Sequence, residues 1–329
     1  MPHNRTMIDH NDSNDPTSDS ADAAQAASHA ARLAASHAST QQFPDATLYV
    51  VATPIGNLSD ITFRALECLA RVDAVAAEDT RTAKSLLRHY GLAKPCIAAH
   101  RHNEREAAVT IVARIAKGER IAYLSDAGTP AISDPGAKIV AAVRDAGFRV
   151  VPIPGASALT AALSAAGLAE GAIHFAGFLP AKATQAATVL KPLREVSAHL
   201  VFYEAPHRIV DTMALLAESF GGERICIIAR ELTKLFETIH RCRLADAAAW
   251  LSADTNRQRG EFVVIVEAEA AATTECAHRT LARALPTLEK LFAVLPLSEA
   301  ASLAADLTGV PRKVLYAAAL AMRRDGGDP

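Results

Sequence analysis

Aromatic side chains are scarce in this 329-residue chain, where they make up 5% of the residues and include a single tryptophan. Alanine takes much of their place, which predicts abundant helix and a core of small aliphatic groups. No stretch approaches the ~18 uninterrupted apolar residues that a membrane-spanning helix needs. The opening segment, Met1 to Ser20, is polar and acidic and lacks the apolar run of a signal peptide. The five cysteines (Cys68, Cys96, Cys226, Cys242 and Cys276) form no C-x-x-C pair. That argues against a metal site and a disulfide framework, and it suits a reducing cytoplasm. Half the residues are hydrophobic, so a fibre, a disulfide-rich secreted module and a fully disordered chain are excluded as well.

A large charge excess is also missing: the formal net charge is −2. The balance is uneven along the chain. Residues 1–44 hold Arg5 and Arg32 against Asp9, Asp12, Asp15, Asp19 and Asp22, a local −3 that leaves +1 for the other 285 residues. From Glu78 to Arg105 the balance is +3, with His89, His100 and His102 interleaved. Such a patch can meet phosphates without making the whole chain basic. A solvated helix face accounts for the same charges equally well, so charge alone does not decide the partner.

Residues 1–44 carry almost no large apolar side chains and are expected to be a disordered leader. Organised structure is expected from LYVVATPIGN, a buried strand feeding a turn. Strands and helices then alternate, which predicts an α/β protein with mostly parallel sheets. The expected division is an N-terminal lobe over 45–154, a C-terminal lobe over 155–270 and a helical extension over 271–329. Asp60 and Thr62 are both suitable N-caps for the first helix. The extension ends in two short helices broken at Gly309-Val310-Pro311, a pattern that fits a helix-turn-helix or a packing or dimerisation element.

In parallel α/β sheets, ligands gather at the carboxyl ends of the strands. Five strand-end loops here are rich in glycine, proline and charge: 52–60, 76–81, 125–136, 152–159 and 203–208. A sixth, 229–234, carries Arg230, Glu231 and Lys234. The first loop offers Gly56 alone, not the G-x-G-x-x-G of a dinucleotide site, and the chain has no phosphate-loop, G-x-S-x-G or H-E-x-x-H motif. What remains is a set of loops able to surround an extended ligand of mixed charge. Gly155-Ala156-Ser157 opens a helix whose amides suit an anion.

The segments LYVVATPIGNLSDIT, AAEDTR, YLSDAGTPAISDPG, VVPIPGASAL, FAGFLPAK, FYEAPHR, ARELTK and GEFVVIVE follow one another in this order. Together they resemble the rRNA-modifying branch of the tetrapyrrole-methylase superfamily of S-adenosylmethionine-dependent methyltransferases. The resemblance covers Thr47 to Glu267 and, less distinctively, the helical tail. It implies a two-lobed tetrapyrrole-methylase-like fold, S-adenosyl-L-methionine in the cleft between the lobes, and a cytoplasmic homodimer without a metal. The implied reaction is 2′-O-methylation of a cytidine ribose in the decoding region of 16S rRNA, on the small ribosomal subunit. By motif, the cofactor would meet Ile55, Asp126 and Ile132 in the first lobe. Ser157, Ala158, Tyr203, Ala229 and Phe262 would meet it in the second. Where superfamily relatives often show G-x-G-x-G-D, this chain has Thr53-Pro54-Ile55-Gly56-Asn57, as the rRNA branch does.

Methyl transfer to a ribose hydroxyl gains from a positioned base, by ~10²–10⁴-fold. Glu78, His207 and Glu231 are the candidates, although Glu and Arg in neighbouring loops also pair simply to hold lobes together. Candidate RNA contacts are Arg81, Lys84, Arg88, Arg101 and Arg105, with Lys182 and Lys234. Arg312, Lys313, Arg323 and Arg324 in the tail could add to them. Two rival readings keep the same scaffold: a methyltransferase acting on a small molecule or protein side chain, and a non-catalytic ribosome-assembly factor.

Overall fold

The computed structural model describes residues 42–268 and 274–325. The expected leader lies almost wholly outside the described residues. The ordered lobe begins earlier than the expected boundary, however. Phe43 is buried against Tyr49 at 5.8 Å between ring centroids, the Arg71 guanidinium lies over its ring, and Tyr49 Oη donates to Pro44 O at 2.8 Å.

The first lobe runs β1 (Thr47–Val51), α1 (Phe63–Arg71), β2 (Ala74–Ala77), α2 (Thr80–His89), β3 (Cys96–Ala98), α3 (Glu104–Ile115), β4 (Arg120–Leu124), α4 (Ala137–Asp145) and β5 (Arg149–Ile153). Its strands lie in the order β3-β2-β4-β1-β5, all parallel. Parallel sheets are covered on both faces, so their strands read as nearly continuous apolar runs. Leu48 and Tyr49, neighbours in β1, accordingly bury themselves in opposite cores. Thr62 caps α1 by accepting from Ala65 N at 3.1 Å, which settles the choice between Asp60 and Thr62.

The helices that follow the neighbouring strands β1 and β4 cover opposite faces. Cys68 and Leu69 of α1 pack with Val51 on one side, and Ile139 and Val143 of α4 pack with Leu48 and Tyr123 on the other. This is a topological switch point, where the loops after two adjacent strands part and leave a crevice. The two loops are tied at their base: Thr53 N donates to Gly128 O at 2.9 Å and Gly128 N returns to Thr53 O at 3.1 Å. At the far end of the second loop, the buried Glu104 carboxylate accepts from Gly136 N at 2.8 Å and Lys138 N at 3.2 Å. Burial alone would raise the pKa of Glu104, but these amides and the Lys138 ammonium outweigh it and hold it low.

The second lobe runs α5 (Ala158–Ala165), β6 (Ile173–Phe178), α6 (Ala183–Leu193), β7 (His199–Glu204), α7 (Ile209–Phe220), β8 (Ile225–Arg230), β9 (Thr238–Arg243), α8 (Leu244–Ser252) and β10 (Phe262–Val266). The sheet order is β6-β7-β10-β8-β9. The expected parallel pairing extends here only to β6 and β7, and the other three ladders are antiparallel. Residues 231–237 join β8 to β9, too short a link for the dozen or more residues a parallel crossover needs. The hairpin sets Cys226 opposite Cys242, two free thiols with Sγ atoms 3.7 Å apart. Leu190, Phe202, Met213 and Leu251 fill one face of this sheet, while α5 lays Ala162 against Val201, Ile227 and Val263 on the other.

Helices α9 (Thr274–Phe292), α10 (Leu297–Thr308) and α11 (Arg312–Asp325) form a separate cluster around Leu288, Ala301, Val310 and Leu315. Gly309 ends α10 in the left-handed region at φ 71°, at the break expected from Gly309-Val310-Pro311. Among the described residues, no helix is long and apolar enough to cross a membrane.

Candidate active site between the lobes

The crevice opened by the switch point faces the second lobe, and together they enclose a cavity of about 490 Å³. From the first lobe, Ile55 reaches it from the β1 loop, Glu78 from the end of β2, and Asp126, Ile132 and Asp134 from the β4 loop. From the second come Ser157 and Ala158 at the start of α5, Phe178 at the end of β6, Tyr203 on β7 and Phe262 on β10. A strand end presents its last side chain beyond the sheet, which is why so many strand termini converge here.

Two close approaches fix the shape of the first-lobe wall. Gly128, at φ 77°, lies where a Cβ would come within 3.2 Å of Ile55 Cγ2. Ala131 and Ser133 hold left-handed backbone at φ 66° and 67°, on either side of Ile132. For residues with a Cβ this conformation costs roughly 1–2 kcal/mol each, strain of the kind found where a loop is aimed at a ligand. On the facing wall, Tyr203 Oη accepts from Leu159 N at 3.1 Å and so satisfies one of the α5 amides expected to meet an anion. The Tyr203 ring stands edge-on to Phe175 and Phe178, at 4.9 and 5.6 Å between centroids. Burial pushes its hydroxyl above the ordinary pKa. Thr129 Oγ1 donates to Ala156 O at 3.0 Å and links the two lobes across the floor.

Five acidic residues line this cavity, Glu78, Asp126 and Asp134 from the first lobe and Glu204 and Glu261 from the second. Burial pushes Asp134 up to about 6, and the nearby Glu78 and Asp126 charges add to the effect while Arg101 opposes it. Glu78 is raised for the same reasons: burial first, then Asp126. Beneath them lies Tyr123, fully buried, its hydroxyl without a hydrogen-bond partner. Asp126 accepts from Asp79 N at 3.1 Å. Among the described residues, no group of three or more His, Cys, Asp or Glu side chains is disposed to hold a metal ion.

Seven of the eight residues expected to meet the cofactor, all but Ala229, line the cavity. Ala229 is fully buried on β8 opposite Val263, clustered with Leu232 and Val263, which line the cavity in its stead. Of the candidate bases, Glu78 alone is in the wall. His207 is exposed just beyond Pro206, where the wall ends. Glu231 is not among the wall residues and holds a left-handed backbone at φ 50°. Its Oε1 accepts from Lys234 Nζ at 2.8 Å and from Glu261 N at 3.1 Å. Burial would raise Glu231, but those partners outweigh it and keep its pKa low. Lys234 is engaged rather than free for phosphate, because it also donates to Glu261 Oε2 at 2.9 Å.

The other candidate RNA contacts remain outward. Lys84, Arg88, Arg101, Arg105 and Lys182 are exposed, and Arg81 is exposed but paired with Asp79 at 2.7 Å. Asp134, Phe178 and Leu232 are wall residues that the sequence reading did not single out. The I-S-D-P-G stretch was the available signal for Asp134, since an Asp-Pro-Gly turn after a strand places a carboxylate at the sheet edge.

Residues 47–248 match the family Tetrapyrrole (Corrin/Porphyrin) Methylases, and residues 270–323 match the RsmI C-terminal HTH domain. A Pseudomonas aeruginosa protein named ribosomal RNA small subunit methyltransferase I is 50% identical, aligned over 83% of this chain and 96% of its own length. A protein of the same name from Escherichia coli O157:H7 is 47% identical over 83% of this chain and 94% of its own. Among solved structures, a cobalt precorrin-4 methyltransferase superposes with a TM-score of 0.53 at 16% identity, covering 68% of this chain and 95% of that one. A diphthine synthase gives the same TM-score at 19% identity, over 68% and 90%. At such identities the structural likeness speaks for the fold alone. With the sequence matches, it makes this chain a member of the tetrapyrrole methylase family, in its ribosomal RNA small subunit methyltransferase I group.

Proposed function

We propose that this chain methylates the ribose 2′-hydroxyl of a cytidine in the decoding region of 16S rRNA, on the small ribosomal subunit, as a cytoplasmic homodimer using S-adenosylmethionine. The observation that carries the reading is the interlobe cavity, which sets apolar cover and a carboxylate rim in one space. The residues fit that cofactor. A volume of about 490 Å³ falls among small-molecule sites, which run to about 300–1,000 Å³. Ile55, Phe178 and Phe262 offer apolar surface to a purine ring, and Glu78, Asp126 and Asp134 face a cationic centre.

When bound, S-adenosylmethionine supplies a methyl group on an electrophilic sulfonium. What the chain must add is alignment, exclusion of water and a destination for the hydroxyl proton. Phe178, Tyr203 and Phe262 exclude water from one wall. Asp134, its pKa raised to about 6 and Glu78 sharing the wall, is suited to accept the proton from the 2′-hydroxyl. Of the earlier candidates, Glu78 keeps a place in this step. His207 and Glu231 do not, since neither side chain lines the cavity. Arg101 offsets the carboxylate charge, and the exposed Lys84, Arg88 and Arg105 are suited to phosphates along the approach.

The test is methyl transfer from labelled S-adenosylmethionine to small subunits lacking the modification, with naked 16S rRNA alongside. Label on one cytidine ribose in the subunits supports the reading. Cofactor binding without transfer to either RNA would turn it toward a small-molecule or protein substrate.

A further inference from the structure

A second cavity of about 400 Å³ adjoins the first and shares Ile55, Asp126 and Ala127 with it. Its other wall is α2. Thr82, Ser85, Leu86 and His89 line it at the i, i+3, i+4, i+7 spacing of a single helix face. The stripe beside that face is basic, with Arg81, Lys84 and Arg88 all exposed. The same helix therefore presents a basic edge and a pocket-lining edge next to each other.

The pocket is braced from outside. His89 stands edge-on to Tyr90 with ring centroids 4.8 Å apart, and Tyr90, itself buried, donates its hydroxyl to Leu58 O. Leu58 in turn sits in the single helical turn Leu58–Asp60, which Asn57 caps by accepting from Ser59 N at 3.0 Å. Leu58 and Leu86 offer flat apolar contact, while the Thr82 and Ser85 hydroxyls and the His89 imidazole can each donate or accept. A ring of small size with a donor and acceptors on its edge matches this lining, as do the bases of unpaired RNA.

From this juxtaposition we infer that the second cavity receives the base of the target nucleotide, an unpaired pyrimidine extruded from the RNA, with Ser85 and His89 reading its edge. This rests on the proposed RNA reaction and deepens it. A nucleotide so held has its ribose at the shared rim of Ile55 and Asp126, facing the first cavity, and its phosphates toward Lys84 and Arg88. Base identity is then decided on α2, away from the groups that meet the methyl donor.

Ser85 is exposed, so Ser85→Trp fills the cavity without disturbing the core. It is expected to lower kcat/KM on unmodified small subunits on the order of 100-fold, since the ribose is displaced from the rim. His89→Phe keeps the ring and removes its nitrogens, and about a tenfold loss is expected, the scale of one neutral hydrogen bond. Binding of S-adenosylhomocysteine, followed by calorimetry, is expected to stay at the wild-type value in both variants. Full transfer by Ser85→Trp overturns the base pocket and leaves the RNA reaction standing. Loss of S-adenosylhomocysteine binding in step with transfer in both variants also overturns it, by making the cavity part of the cofactor site. A wild-type protein that binds S-adenosylhomocysteine yet transfers to no subunit removes the RNA reaction and the pocket together.

Discussion

Lys234, on the loop after β8, lies directly over Gly56, on the loop after β1, so that a Cβ on Gly56 would fall 2.5 Å from Lys234 Cγ. The lysine stem cannot swing aside freely, because its ammonium is held by both Glu231 and Glu261. Gly56→Ala should therefore push the lobes apart at this point. The expected cost is about 1–3 kcal/mol, the usual range for overpacking, read as a lower urea midpoint with the slope unchanged.

Asp134 links stability to pH. Its folded pKa of about 6 exceeds the ordinary 3.8, so between those values the folded chain keeps a proton that the unfolded chain has lost. Stability from this group therefore falls as pH rises toward about 6 and is level beyond it. Asp134→Asn should be the more stable protein above pH 6, with the advantage vanishing below about pH 4, as thermal unfolding across that range would record. Binding should move the other way. A sulfonium favours the ionised carboxylate, so the preference for S-adenosylmethionine over S-adenosylhomocysteine should grow through pH 6 in the wild type and stay flat in the variant.

The basic residues divide by whether their charge is already engaged. Lys84→Ala and Arg88→Ala should each reduce the salt dependence of subunit binding by about one unit of slope. Lys234→Ala should leave that slope unchanged and lower stability instead, because Glu231 and Glu261 lose their common partner.

Phe43 is the first buried side chain among the described residues. A chain starting at Phe43 should bind S-adenosylhomocysteine as the full chain does. Phe43→Ala in the full chain should cost about 3 kcal/mol of stability, near the lower end for a buried phenylalanine, because Tyr49 and Arg71 lose the ring they pack on.

The first lobe was legible because β1, β2, β4 and β5 are short apolar runs punctuated by turns, each followed by a helix with its own periodicity. What escaped was weakly patterned. Cys96–Ala98 is three residues long, and Thr238–Arg243 is an edge strand alternating half-buried and exposed side chains, with Arg241 and Arg243 turned outward. Ala183–Leu193 carries Pro192 in its last turn, which blurs its helical reading. The cavity loops stood out by their glycine, proline and charge, yet orientation within each loop did not. Pro206 is in the wall and His207 outside it, one residue apart. Asp134 and Glu78 lie 56 residues apart in the chain, and the parallel pairing of β2 with β4 brings the loops that carry them into one space.

The backbone passes between the lobes once in the described α/β region, through the four residues from Ile153 at the end of β5 to Ala158 at the start of α5. This has a consequence for synthesis. The first sheet is complete when residue 153 has left the ribosome, and domains generally fold as units, the N-terminal one first. The second sheet must wait, because β10 is central to it and is the last of its strands to be made. The interlobe cavity takes its walls from Ile55 to Val263, so it is assembled late, on a first lobe already folded and waiting. The cavity bounded by α2 is made wholly from residues 53–127 and is in place more than a hundred residues earlier. A nascent chain of this protein thus completes the cavity bounded by α2 before the one that lies between its lobes.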